Sequence, residues 1–299
     1  MSESPGGDET PGELVLVSTP IGNLGDLSPR AAATLSAADI VCCEDTRHTG
    51  TMLKRLGITA RRLLSLHAHN EGSRLPMLLD ELASGHVVAV VSDAGTPAVS
   101  DPGGRLVAAA AEAGVRVSAV PGPSAVLAAL VVSGMKIERW HFEGFLPRKG
   151  GERRTRLAEI ASAPCPSVCY ESPPRLAATL ADLAQSCGPE RRVAVCRELT
   201  KLHEEVRRST LAEAVSHFAV TAARGEFVLV VEGTGASRRP AEAPNGDALA
   251  AAVDEQVASG ASRRDAVREV AERLGVARST VYEAALRSAE SPGAGVRDR

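Results

Sequence analysis

The residues of this chain best suited to chemistry sit in loops that combine glycine, proline and short polar side chains. They are Ser18-Thr19-Pro20-Ile21-Gly22-Asn23, Glu44-Asp45-Thr46-Arg47, Ser92-Asp93-Ala94-Gly95-Thr96-Pro97 running on to Ser100-Asp101-Pro102-Gly103, Pro121-Gly122-Pro123-Ser124-Ala125, and Tyr170-Glu171-Ser172-Pro173-Pro174-Arg175. Glycine lets a backbone approach a ligand closely, and proline stiffens a loop so that its amides are aimed in advance. Any one of these segments also reads as an ordinary strand-to-helix turn. Four of them along one sheet edge read as a ligand site, because open α/β sheets bind ligands beyond the carboxyl ends of their strands. No Gly-x-Gly-x-x-Gly, P-loop, Gly-x-Ser-x-Gly or His-Glu-x-x-His motif is present, which disfavours a Rossmann dinucleotide site, a P-loop, a serine-hydrolase elbow and a zinc protease.

The elements that must hold these loops follow from the apolar pattern. Short apolar runs at 14–19, 38–44, 62–66, 86–93 and 115–120 read as buried strands, and helical segments at 28–37, 46–56, 71–84 and 103–113 alternate with them. Ser28-Pro29 is a helix start, with serine as N-cap and proline at the first position. This alternation predicts a mostly parallel, doubly wound sheet over 14–123. Residues 124–234 change character: strands at 140–145, 167–171, 191–199, 204–210 and 226–233 mix with helices at 152–162, 173–186 and 211–222. Only Thr200–His203 separate the strands at 191–199 and 204–210, so they are expected to pair as a hairpin. Residues 1–13 read as a disordered tail, 235–245 as a Pro/Ala/Ser-rich linker, and 246–299 as a helical module.

Composition narrows the function classes. With 299 residues, 44% hydrophobic and 24% charged, the chain can bury one large or two modest cores. A formal charge of −3 gives no global basic field. Only seven aromatic residues are present, so extended base stacking is not expected. Six cysteines show neither Cys-x-x-Cys pairs nor histidines at zinc spacing, and read as small buried hydrophobes with no metal site. The acidic N-terminus lacks a signal-peptide pattern, and no apolar run reaches the about 18 residues of a membrane helix, so a cytoplasmic protein is expected.

The series STPIGNLGDLSPRA, CCEDTRHTGTML, LHAHNE, VSDAGTPAVSDPG, VPGPSA, FEGFLPRKG, YESPPR and RELTKLHEE, collinear from Leu14 to about Gly233, resembles the ribosomal RNA small subunit methyltransferase I family. That family lies within the tetrapyrrole-methylase superfamily of class III S-adenosylmethionine methyltransferases. The resemblance implies two α/β domains with S-adenosyl-L-methionine in the cleft between them, a homodimer, and 2′-O-methylation of a decoding-region cytidine in the 16S rRNA of the small (30S) subunit. It places the cofactor against Thr19, Pro20, Gly22, Asp93, Ala94, Gly95, Thr96, Ser124, Ala125, Tyr170 and Glu171. The Asp-Ala-Gly-Thr-Pro turn stands where corrin enzymes carry Gly-Asp-Pro. A corrin-precursor methyltransferase, or a non-catalytic nucleic-acid-binding protein, are the alternative readings.

Methyl transfer to a ribose hydroxyl needs alignment above all, and a base near the oxygen adds roughly 10²–10⁴-fold. Glu44, Asp45, His69, Glu71 and Asp93 are the candidate groups, with Glu44 or Asp45 preferred. Each also has a structural reading: Glu44 and Asp45 could cap the following helix, His69 and Glu71 could order their loop, and Asp93 could shape the cofactor loop. Two clusters could meet RNA phosphates. One runs from Leu146 to Arg156 and holds Arg148, Lys149, Arg153, Arg154 and Arg156; the other, over 191–208, includes Arg197 and Lys201. Residues 261–287 have a helix-turn-helix shape with Arg263, Arg264, Arg268 and Arg278 on the polar side, and resemble the family's C-terminal domain, with rRNA holding and simple packing both open.

Overall fold

In the computed structural model, residues 12–235, 246–274 and 278–289 are described. Two compact units divide the chain after Gly235. Among its described residues the first contains two five-stranded sheets.

The strands of the first sheet are β1 (Glu13–Val17), β2 (Ile40–Cys43), β3 (Leu63–Ser65), β4 (Val87–Val90) and β5 (Arg116–Val120), with helices α1 (Pro29–Ala37), α2 (Thr46–Arg55), α3 (Glu71–Ala83) and α4 (Gly104–Glu112) between them. All neighbours in the order β3-β2-β4-β1-β5 are parallel. Because side chains alternate along a strand, Val15, Val17, Val41, Cys43 and Ala89 face α1 and α2. Leu14, Ile40, Cys42, Val88 and Val90 face α3 and α4 on the other side. Continuous apolar runs are therefore what a sheet covered on both faces requires. Ser28 caps α1 by accepting the Ala31 amide at 3.1 Å, with Pro29 in the first turn.

The tail boundary shifts by one residue. Glu13 opens β1, pairs with Val87 and Arg116 in register, and accepts from the Ser118 hydroxyl at 2.6 Å. The rest of the tail up to residue 11, and the linker over 236–245, lie outside the described residues.

The chain passes through Pro121–Ser124 into α5 (Ala125–Ser133), where the sequence pattern assigns no element beyond the loop ending at Ala125, and from there into the second sheet. Its strands are β6 (His141–Phe145), β7 (Ser167–Glu171), β8 (Arg192–Arg197), β9 (Glu205–Thr210) and β10 (Phe227–Val231), ordered β6-β7-β10-β8-β9. Only β6 and β7 are parallel; β8 and β9 form the expected antiparallel hairpin, Arg197 opposite Glu205. Helices α6 (Gly150–Ser162), α7 (Pro173–Cys187) and α8 (Leu211–Val220) cover one face through Leu157, Leu180 and Leu211, while α5 covers the other through Val126, Ala129 and Leu130. A reciprocal capping box of Thr210 and Glu213 starts α8.

The second unit contains three helices among its described residues, α9 (Gly246–Ala258), α10 (Arg263–Leu274) and α11 (Arg278–Ala289), where the sequence pattern picked out the last two. They share a small core of Leu249, Val253, Ala266, Val270, Val281 and Ala284. Gly275, expected to end α10, lies outside the described residues.

Candidate active site

The loops after β1, β4 and β5 are laced together at the carboxyl edge of the first sheet. Thr19 and Gly95 exchange backbone hydrogen bonds, the Thr19 amide donating at 2.9 Å and the Gly95 amide at 3.1 Å. The Thr19 hydroxyl donates to the Ser92 carbonyl at 3.1 Å, and the Thr96 hydroxyl to the Pro123 carbonyl at 3.4 Å. A side chain at Gly122 would bring its Cβ to 2.9 Å from Ser18 Cβ, so glycine lets the third loop close onto the first. Gly95 sits at φ +82°, a conformation glycine adopts without strain.

These loops form one wall of a cavity of ≈ 360 Å³. Asp93, Ala94, Gly95, Thr96, Ser124 and Ala125 line it from the first sheet's side. Tyr170, Glu171, Cys196 and Phe227 close it from the second sheet. Tyr170 is held by Phe142 and Phe145, with ring centroids at 5.2 and 5.5 Å. Burial, with the Asp101 charge, pushes the Tyr170 phenol up to about 12.

A wider cleft of ≈ 1160 Å³ adjoins this cavity, and Ile21, Asp93, Ala94 and Glu226 belong to the linings of both. Pro20, Gly22, Asp45, Arg47, Arg55 and Lys201 line the cleft. A Cβ on Gly22 would lie 2.3 Å from Lys201 Cγ, so the loop after β1 meets the β8–β9 connection with no room for a side chain. Lys201 bridges Glu198 and Glu226 at 2.9 Å each. Burial pulls the Lys201 ammonium down, but the two carboxylates outweigh it and raise it overall.

Several expected residues take other duties. Thr19 is fully buried beneath the cavity, its hydroxyl turned to the backbone, and lines neither space. Asp45 is the N-cap of α2, accepting the Arg47 amide at 2.8 Å, and the guanidinium of Arg47 pairs with it at 3.3 Å. The Arg47 amide, then its guanidinium, holds the Asp45 carboxyl below the usual carboxylate range. Glu44 is half-buried and lines neither space. Glu71 is buried, and its Oε1 accepts the amides of Gly103, Arg105 and Leu106 at 3.2, 3.0 and 3.2 Å, so it caps α4. His69 is exposed, and its loop is ordered instead by Asn70, which accepts the His67 amide at 2.8 Å.

The basic clusters divide between side chains with protein partners and exposed ones. Arg153 turns inward: its guanidinium donates to Asp182 at 2.8 and 2.7 Å, to the Pro147 carbonyl at 2.9 Å and to the Thr179 hydroxyl at 3.1 Å. Arg156 pairs with Glu143 at 3.2 Å, and Arg197 with Glu205 at 3.7 Å while donating to the Arg224 carbonyl. Arg148, Lys149 and Arg154 are exposed and line neither the cavity nor the cleft. Arg263 donates to the Ala285 carbonyl within its own unit, and Arg264 is exposed there. Sequence reasoning overlooked Arg55 in the cleft and the carboxylate of Asp101 in the cavity, although Asp101 belongs to a loop it had singled out.

Residues 13–215 match the family described as Tetrapyrrole (Corrin/Porphyrin) Methylases. A protein named ribosomal RNA small subunit methyltransferase I from Synechocystis is 43% identical over 275 residues, covering 92% of this chain and 98% of that protein. One of the same name from Mycobacterium tuberculosis is 46% identical over 286 residues, covering 94% and 97%. The chain belongs to the ribosomal RNA small subunit methyltransferase I family. The fold agrees with that membership. The crystal structure of diphthine synthase aligns at a TM-score of 0.59 and 15% identity over 74% of this chain and 90% of that one. Cobalt precorrin-4 methyltransferase aligns at 0.57 and 16% identity over 74% and 94%. At such identities the likeness is one of fold alone, the tetrapyrrole-methylase fold. Among the described residues, no helix is long and apolar enough to cross a membrane.

Proposed function

We propose that this chain methylates the ribose 2′-hydroxyl of a cytidine in the decoding region of 16S rRNA, with S-adenosyl-L-methionine as methyl donor. The observation that carries this reading is the convergence of the loops after β1, β4 and β5 on a single cavity that opens beside a wider cleft. Its volume of ≈ 360 Å³ lies in the range of small-molecule sites. Apolar Ile21, Val99 and Leu199 suit a nucleoside face, Thr96 and Ser124 offer hydroxyls, and the carboxylate of Asp93 suits a cationic sulfur. When bound, the cofactor supplies a methyl group on that sulfur. The chain's own part is to orient it through these loops and to hold the acceptor nucleotide at the junction of cavity and cleft, where Asp93 and Ala94 line both, with its phosphates toward Arg47 and Arg55 of α2.

The family's near full-length relatives carry an rRNA methyltransferase name, which favours rRNA over a corrin precursor as acceptor. A homodimer fits α5, which leaves Leu127 and Val131 53% and 69% exposed. Three measurements test the proposal. Calorimetry should register S-adenosyl-L-methionine binding, and labelled methyl should enter 16S rRNA, offered free or in small ribosomal subunits, in preference to a corrin precursor. Absence of cofactor binding would leave only a nucleic-acid-binding role, and transfer to the corrin precursor alone would move the chain to the other enzyme class.

A further inference from the structure

The carboxylates around the cavity are not equivalent. Glu171 is spent: its Oε1 accepts the Ser172 amide at 2.7 Å and faces Arg175 at 3.4 Å, and its Oε2 accepts the Thr179 hydroxyl at 2.6 Å. Glu226 is paired with Lys201. Asp93 accepts the Asp45 amide at 3.3 Å, tying the loops after β2 and β4 together. Asp45 caps α2 and carries Arg47. Asp101 alone lines the cavity while having, among the described residues, no ion-pair partner and no backbone amide to serve.

We propose that Asp101 is the proton acceptor for the hydroxyl that is methylated, an inference that rests on the ribose-methylation reading above. Two features besides position support it. The loop that delivers it is strained: Ala98 and Ser100 hold φ values of +67° and +65°, a conformation that costs L-residues energy and clusters at functional sites. Its surroundings also set its basicity. Asp101 is half-buried, and burial, then the charges of Glu44 and Asp93, push its carboxyl up to about 6, against the pull of the Ser92 hydroxyl. Tyr170 faces it from the second sheet as a neutral phenol. A carboxylate raised this far is still deprotonated at neutral pH yet a better base than an exposed aspartate.

The step is balanced without any further reactant. A carbon–oxygen bond forms at the 2′-oxygen, the carbon–sulfur bond breaks with its electron pair remaining on sulfur, and the hydroxyl proton passes to an Asp101 carboxylate oxygen. From there it leaves to solvent after the neutral thioether product departs.

The test compares wild type, Asp101→Asn and Asp101→Glu in single-turnover methyl transfer to small ribosomal subunits between about pH 5 and 9. Alongside it, calorimetry measures the affinity for S-adenosylhomocysteine, whose uncharged sulfur reports the shape of the cavity. Asp101→Asn should lose about 10²-fold or more in rate while its S-adenosylhomocysteine affinity stays within about threefold. Wild type should show an acid limb with its midpoint near 6, and the asparagine variant should lack it; Asp101→Glu should recover part of the rate. An asparagine variant within about tenfold of wild type, an unchanged acid limb, or an affinity loss matching the rate loss would each overturn the assignment. So would a wild-type profile flat through pH 6, whatever the variants do. Wild type that transfers no methyl to small subunits would instead sink the ribose-methylation reading and this inference with it.

Discussion

Arg153 offers the sharpest contrast between a surface reading and a packed one. Its side chain is 10% exposed and donates four hydrogen bonds, three of which join the start of α6 to α7 while the fourth holds the Pro147 carbonyl. Replacing it with methionine keeps the stem and removes the guanidinium. The Pro147 carbonyl and Asp182 then lose a donor, and the Thr179 hydroxyl keeps Glu171. Breaking a fully buried pair costs roughly 3–5 kcal/mol. Asp182 is 40% exposed and can regain water, so we expect about 2–3 kcal/mol for Arg153→Met. For a unit of this size that is a fall of about 5–10 °C in Tm. Exposed Arg154→Met serves as the control and should change stability by less than about 0.5 kcal/mol. Thermal unfolding followed by circular dichroism, beside a filter-binding assay with small-subunit rRNA, separates the two readings. An Arg153→Met protein as stable as wild type but weakened in rRNA binding would refute the packed assignment.

Glu71→Ala should cost about 1–3 kcal/mol in denaturant unfolding by freeing the amides at the start of α4, while the folded protein keeps its methyl-transfer rate; a rate collapse at unchanged stability would return Glu71 to the list of candidate bases. Gly22→Ala forces Lys201 off Glu198 and Glu226 and should destabilise by about 1–3 kcal/mol, measurable as a lower urea midpoint. Asp39 accepts the Val87 amide at 2.9 Å and pairs with Arg61, and these hold its carboxyl below the ordinary value of 3.8. A depressed folded-state value means the stabilisation is present above 3.8 and lost as pH falls below it. The stability gap between wild type and Asp39→Asn should therefore be wide at pH 6 and narrow at pH 3.

Much of the fold was legible because burial on both sheet faces leaves a plain signature. The runs LVLV, IVCC and VVAV are apolar at every position, and Ser28-Pro29 announces a helix by its chemistry. The missed helix α5 explains the limit. AVLAALVVS is apolar nearly all round, so no face repeats at the helical period, and periodicity alone cannot tell a buried helix from a buried strand there. The convergence of the glycine-bearing loops could be anticipated from their common position after strands. The state of each charge could not: Asp182 lies 29 residues from Arg153, and the bonds that occupy Glu71 come from 32 to 35 residues away. Such long-range pairing is set by packing, which local spacing does not record.

The exchange of amides between Thr19 and Gly95 makes the first-sheet wall of the cavity stiff before any ligand arrives. Ordering of that wall belongs to folding, so little of the binding free energy is diverted to arranging it. Whatever shape adjustment accompanies docking must then fall elsewhere: across the cavity on the ring of Tyr170, and within the β4 loop on the high-energy turn from Ala98 to Ser100.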